Sequence, residues 1–360
     1  LTNQALPERE AFFLFFGEIM KQINGNQRNI RIALPSKGRL AEDALDLMKN
    51  AGLAVMKSNP RQYKAKIPVL PEVSVLFQRP GDIAVSVRDG IVDFGITGFD
   101  VVSEKQNEAR DILIMLDKLG FGECRFCAIV PESEEEINHT QNLQSLIKPG
   151  HQNLRVATKF PNITQQFFEK KNFKNVTYIV AEGALEIAPT IGYADMITDL
   201  VSTGMTLRDN RLKILEDGLI LESEACLIGN RQNLVSSEPV MNVARQLLEF
   251  IVAYLRAQNN VAIYANIRGD TPEKVAALIL GQKFIRGLQG PTISRVITHK
   301  GEKWYAAHLI VQKSELAEAI GELRSIGGSG VVVTPVNYIF EEEPEAYQRL
   351  LQKLGVSDES

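Results

Sequence analysis

An α/β fold with a two-lobed core and a separate third domain is what this chain predicts, on three observations. Strands alternate with helices in two successive blocks, 30–131 and 132–219, so each block reads as a doubly wound sheet. A long amphipathic helix follows over 238–257 and returns to the first block. After it the pattern changes to β-α-β-β-α-β, the ferredoxin-like split motif. Ligands of doubly wound sheets sit outside the carboxyl ends of the strands, so two blocks place a cleft between two such ends.

The elements follow in order. Residues 1–29 form an extension whose most apolar run is Phe12-Phe13-Leu14-Phe15-Phe16. Glu8, Arg9, Glu10 and Glu18 flank it. It is shorter than the ~7–15 residues of a secretory core, so a docking helix is expected. Residues 30–34 read as a strand, then a loop over 35–38 and a helix striped by Leu40, Leu45, Leu47 and Met48. Strands follow at 73–77, 92–97, 112–116 and 124–130, with a short helix at 83–89 stopped by Gly90. An acidic linker covers 132–142. The second block holds strands at 154–157, 176–180 and 195–201 and helices at 161–173 and 184–191.

The long helix stripes Val240, Val243, Leu247, Ile251 and Leu255. The third domain, 259–345, has strands at 261–267, 292–298, 304–312 and 331–340 and helices at 272–280 and 316–326. The expected division is therefore an extension (1–29), a first lobe (30–131, with 220–258 returning), a second lobe (132–219), the third domain (259–345) and a tail (346–360).

Composition narrows the function. A chain of 360 residues supports two or three cores. With 44% apolar and 23% charged residues and a net charge of -4, no global field favours nucleic acid or an anionic membrane, so neither is expected as a partner. No apolar run approaches the ~20 residues of a membrane span. Three cysteines make no disulfide framework, which points to a reducing compartment. Cys124 and Cys127 have C-x-x-C spacing but lie in the strand-like run CRFCAIV, facing opposite sides, and read as small buried residues. The four histidines lack metal-ligand spacing.

Anion sites must then be local. In ADMITDLVSTGMTL, residues 194–207, Asp195 and Asp199 stand at strand positions i and i+4, which share a face. Ser202, Thr203, Gly204 and Thr206 follow, with hydroxyls and open backbone N–H groups suited to a phosphate. Acids beside a phosphate site need another partner: sugar hydroxyls or a divalent cation. A buried pair that caps local turns is the plain structural alternative. Ser36-Lys37-Gly38-Arg39 sets two cations around a glycine at a helix start, where cations are disfavoured, which invites a ligand. Arg61, Arg79 and the turn through Gly98 and Asp100 lie in the same lobe. Glu182 and Glu186 read as helix caps.

ALPSKGRL, VDFGITGFD, FGECRF, EGALEIAP, ADMITDLVSTGMTL and LESEACL occur in this order. Together they resemble ATP phosphoribosyltransferase of histidine biosynthesis, over most of the chain from about Ile30 to Ile339. NPRQY, FQRP, GLQGPTIS and IGGSGVVV resemble its long form, plant-type branch. The resemblance implies that ATP attacks 5-phosphoribosyl 1-diphosphate through adenine N1, with Mg2+, releasing diphosphate. It implies a core like periplasmic binding proteins, a regulatory third domain that binds L-histidine as inhibitor, and a homohexamer, with dimers as the alternative. The phosphoribosyl motif falls on Asp195, Asp199, Ser202, Thr203, Gly204, Met205 (backbone only) and Thr206. The ATP side falls on Lys37, Gly38, Arg39, Arg61, Arg79, Gly98 and Asp100, with Asp195, Asp199, Lys37 and Arg39 as the catalytic set. Metal ligands stay unassigned. In the third domain Asp270, Gln289 and Thr292 are the candidates to receive histidine, with helix and turn capping as the alternative. The expected compartment is the cytoplasm, or the plastid stroma after removal of a targeting peptide. A solute-binding module and a phosphoribosyltransferase for free purines are the competing classes.

Overall fold

The computed structural model describes residues 29–57, 59, 62–105, 111–147, 150–298 and 301–356. Arg61 and the 12–16 run lie outside the described residues. In the first sheet β1 (Ile30–Pro35) lies between β3 (Leu70–Gln78) and β4 (Phe94–Gly98), parallel to both. β2 (Lys64–Ile67) closes one edge; β11 (Ala225–Asn230) and β5 (Ile112–Leu116) extend the other. In the second sheet β7 (Leu154–Thr158) runs parallel to β8 (Val176–Val180) and to β9 (Met196–Val201). β6 (Cys124–Pro131) and β10 (Leu212–Ser223) complete it.

Both sheets are mixed, not wholly parallel as expected. β11 runs antiparallel to β4 and β5, and β6 antiparallel to β9 and β10. A strand pattern carries no direction, and β10 passes into β11 with only Glu224 between them, so one near-continuous strand threads both lobes. The chain crosses a second time through residues 117–123. The expected lobe boundaries at 131 and 220 therefore fall inside the second sheet, which owns both β6 and β10. The helix expected over 184–191 is a single 3-10 turn, Leu185–Ile187. Pro189 explains it: its ring clashes with the carbonyl four residues back and it has no N–H to donate.

The long helix Glu238–Gln258 buries Val240, Val243, Leu247 and Ile251 against Leu34, Phe94 and Ile96 of the first sheet. Each such side chain contributes roughly 1.5–3 kcal/mol by leaving water. The helix Glu345–Leu354 joins this core through Ala346, Tyr347, Leu350 and Leu351. Residues 346–360, expected as a tail, thus include an integral part of the first lobe. Residues reaching it from the third sheet run back along the long helix, where Arg256 pairs with Glu341 and Tyr338 donates to the Asn50 carbonyl at 2.9 Å.

The third sheet has the order β13-β14-β12-β15: β12 (Asn260–Arg268), β13 (Thr292–Val296), β14 (Trp304–Gln312) and β15 (Gly328–Pro335). That is the expected ferredoxin-like arrangement. Helices Pro272–Leu280 and Leu316–Ser325 cover one face, burying Val275, Ile279, Ala319 and Leu323 on Ile263, Ile267 and Leu309. On the other face Tyr264 stacks on His308, ring centroids 4.5 Å apart.

Candidate active site between the lobes

Three loops leave the same edge of the first sheet. After β1, the Ser36 N–H donates to the Gln78 carbonyl at 2.8 Å, which holds residues 36–39 beside the end of β3. Gly38 takes φ 75°, a conformation that favours glycine, and starts the helix Arg39–Asn50. Lys37, Arg39 and Arg79 are exposed at this edge, and Arg39 lies 3.5 Å from Asp43. After β4, the short helix Phe99–Glu104 begins at Gly98. A Cβ on Gly98 would sit 2.2 Å from the Asp100 carboxylate, so only glycine lets that carboxylate fold back. Asp100 is buried, accepting the Ser223 hydroxyl at 2.6 Å, while its N–H donates to the same oxygen at 2.9 Å. Asp100 is thus engaged by the end of β10.

β9 separates its two acids. Asp195, just before the strand, has a side chain with no exposure and a forked ion pair to Arg155: Nη2 to Oδ1 at 2.7 Å and Nε to Oδ2 at 3.2 Å. The Arg155 N–H adds a third bond at 2.9 Å. Hydrogen bonding to Asp195 leads the forces that raise the Arg155 pKa. The two acids share a face as expected, but four strand residues span roughly 13 Å. Asp195 therefore sits at the end of β9 remote from the loop, saturated by an arginine. That position and pairing do not support its expected role in substrate binding and catalysis.

Asp199 is half-buried near the other end and accepts the Leu200 N–H at 2.7 Å. Burial raises its pKa, and the like charge of Glu186 adds to the rise; the Leu200 N–H and Lys159 oppose it. Glu186, read from the sequence as a cap, is thus a like charge acting on Asp199. Lys159 follows β7, whose end carries a buried hydroxyl chain: Thr158 to Thr164 at 3.0 Å and Thr164 to Thr198 at 2.9 Å. After β9, Ser202, Thr203, Met205 and Thr206 are all exposed, and Gly204 takes φ 74° to turn the chain into helix Met205–Asp209. The hydroxyls and backbone of this loop are open to a ligand.

A cleft of about 530 Å³ joins the two sides. Phe99 lines it from the first lobe and Val201 and Ser202 from the second, with Cys124, Ser223 and Glu224 at the crossing strands. Phe99 of the Gly98–Asp100 turn and Ser202 of the hydroxyl loop therefore line one cleft where the chain passes between lobes.

A sequence model described as ATP phosphoribosyltransferase (HisG) matches residues 79–251, and one for the HisG C-terminal domain matches 257–338. ATP phosphoribosyltransferase 1, chloroplastic, of Arabidopsis thaliana is 41% identical over 334 residues, covering 91% of this chain and 81% of the relative. The chain belongs to the ATP phosphoribosyltransferase family. The Methanocaldococcus jannaschii member is 35% identical over 312 residues, 86% of this chain and 99% of its own. Among solved structures, the ATP phosphoribosyl transferase (HisG:HisZ) complex of Thermotoga maritima is 25% identical with a TM-score of 0.49, covering 62% of this chain and 98% of that one.

Burial raises the pKa of Cys124 and Cys127 and pushes Cys226 up to about 12, so all three stay protonated thiols. In the C-terminal domain Asp270 pairs with Lys274 at 2.7 Å and Thr271 caps the same helix. Thr292 lies opposite His308, whereas β12 ends opposite Trp304, roughly 13 Å further along β14. Gln289 is exposed. Asp270 is thus engaged by Lys274, beside the Thr271 cap, and it lies well apart from Thr292. Among the described residues, no helix is long and apolar enough to cross a membrane.

Proposed function

We propose that this protein joins ATP to 5-phosphoribosyl 1-diphosphate through adenine N1, giving N1-(5-phosphoribosyl)-ATP and diphosphate at the first step of L-histidine biosynthesis. The observation that carries this reading is the open hydroxyl loop after Asp199, whose Ser202 shares the interlobe cleft with Phe99 of the Gly98–Asp100 turn. In it, Ser202, Thr203 and Thr206 and the backbone of Gly204 and Met205 hold the sugar 5-phosphate. Asp199, with Glu186, accepts hydrogen bonds from the ribose hydroxyls. Lys37, Arg39 and Arg79 at the edge of the first sheet take the ATP polyphosphate, with Gly38 and Gly98 giving close backbone approach; Arg61 is assigned there by its motif alone.

Neutral adenine N1 already carries its lone pair, so attack needs no strong base. The chemistry rests on holding two polyanions in line and on stabilising the charge that develops on diphosphate. Mg2+ keeps waters and substrate phosphates as ligands and needs only one or two carboxylates. Asp199 and Glu186 are the side chains that would face it, and the ion would supply charge neutralisation of the diphosphate.

The catalytic unit comprises two lobes, the first built on β1–β5, β11 and the helices of 238–258 and 345–354, the second on β6–β10. The ferredoxin-like domain senses L-histidine, with Thr292 and Gln289 in the site and Asp270 outside it, and the chains assemble as a homohexamer. The chloroplastic names of the plant relatives suit a plastid stroma. Incubating the protein with 5-phosphoribosyl 1-diphosphate and either ATP or free adenine tests the reaction. Diphosphate release with ATP alone is expected. Release with adenine alone, or with neither, overturns it.

A further inference from the structure

The helix Phe99–Glu104 has two ends that matter. Its start lines the cleft. Its last residue, Glu104, is 7% exposed although charged, and it reaches into the other lobe. Glu104 Oε1 accepts the Asn162 N–H at 2.9 Å and Oε2 the Ile163 N–H at 3.0 Å. Its backbone carbonyl accepts the Asn162 side-chain amide at 3.0 Å. Those N–H groups are the unsatisfied first-turn donors of the helix Pro161–Lys170, which has no side-chain cap of its own. A carboxylate from the first lobe therefore caps, and complements the dipole of, a helix in the second.

The contact is not isolated. Val101 of the same short helix packs with Phe126, Phe160 and Ile163, and Phe126 meets Phe160 edge-on at 5.3 Å. The capped helix begins three residues after Thr158, at the end of β7, and Lys159 lies in that link. One six-residue helix thus ties the cleft turn of the first lobe to the segment that carries Lys159 in the second.

We propose that Glu104 is a positioning residue for phosphoribosyl transfer: it clasps the two lobes so that the nucleotide side and the phosphoribosyl side face each other at reacting distance. The inference rests on the cleft being the transfer site. Neither set of binding groups includes Glu104, so each substrate should bind its own lobe without it. What the clasp governs is their mutual placement, which is felt in the transition state and hence in kcat.

The test is steady-state kinetics of the full chain with Glu104→Ala and Glu104→Gln, each with its urea midpoint. The parent enzyme is assayed first, and a parent inactive with ATP overturns the reading of the cleft, and the clasp with it. With an active parent, Glu104→Ala is expected to lower kcat by about 10–100-fold while each KM moves less than about threefold. Glu104→Gln keeps one acceptor and the side-chain shape, so its loss of kcat should be smaller, about several-fold. If Glu104→Ala does not fold, a Glu104→Gln enzyme with kcat reduced several-fold and KM unchanged supports the clasp. Parent-like kcat in folded Glu104→Gln and Glu104→Ala, with only a lower urea midpoint, would reduce the contact to a structural one and overturn the proposal.

Discussion

Asp195, just before β9, and Asp199, within it, share one face and differ in burial and in partners. Asp195 has no exposed side-chain surface and three bonds from Arg155. Asp199 is half-buried, bonded within the described structure to a neighbouring N–H, and set near a second acid that raises its pKa. The first arrangement satisfies a charge; the second leaves a charge in want of a ligand. The lesson is that an acid on a strand is read by its partners more than by its face. Strained electrostatics mark the end of β9 that faces the cleft, and satisfied electrostatics mark the end that holds the lobe together.

The sharpest way to break this contrast is at Asp195. Asp195→Asn leaves the Arg155 guanidinium without its counter-charge. Breaking a buried pair by removing one partner costs roughly 3–5 kcal/mol. Chemical denaturation should show that loss, and whatever protein remains folded should retain near-parental kcat. A stable, catalytically dead Asp195→Asn enzyme would return Asp195 to the active site. At the other end, Asp199→Asn removes a charge that meets sugar hydroxyls or metal. The expected loss is about 2–4 kcal/mol of transition-state stabilisation, read as kcat/KM. Full turnover would end its assignment.

A smaller effect is expected in the loop. Thr203→Val with Thr206→Val keeps shape and removes two hydroxyl donors, worth roughly 1–3 kcal/mol together. KM for 5-phosphoribosyl 1-diphosphate should rise about tenfold or more while KM for ATP stays put. Equal rises would mean the loop does not separate the substrates. The third domain supplies the gentlest test. Cutting the chain at Asn259 would also remove Tyr347 and Leu350 from the first core, so activity lost that way teaches nothing about regulation. Val261 pairs with Pro335, so the two ends of the domain are adjacent. Excising 260–335 with a short Gly-Ser link therefore keeps the helix Glu345–Leu354. The shortened enzyme should stay active and lose histidine inhibition, a coupling of about 1–3 kcal/mol. Retained inhibition would place the sensor elsewhere.

Much of this was legible in the sequence. The three sheets, the ferredoxin-like order and the hydroxyl loop follow from periodicity and from where hydroxyls and glycines fall. The role of Asp195 was not legible, because its partner Arg155 lies 40 positions away and a spacing rule carries no information on burial. β10 was missed because Glu216, Asp217 and Gly218 interrupt it, and the strand shifts register there. The final helix was available: Tyr347, Leu350, Leu351 and Leu354 follow helical spacing, and only its position at the chain end suggested a tail. Glu104 gave no sequence mark, since a cap on a helix in another lobe has no local pattern.

The division of β9 is tested most directly by urea denaturation of Asp195→Asn and Asp199→Asn side by side at neutral pH. Burial raises the folded-state pKa of Asp199 above its unfolded value. Its favourable contribution is therefore complete only below the unfolded pKa and is lost as pH rises through the folded one. At neutral pH, above the unfolded value, the burial that raises this pKa is a cost that asparagine removes. The predicted result is a midpoint at or above the parent for Asp199→Asn, against a marked drop for Asp195→Asn. Equal drops in the two variants would contradict the account.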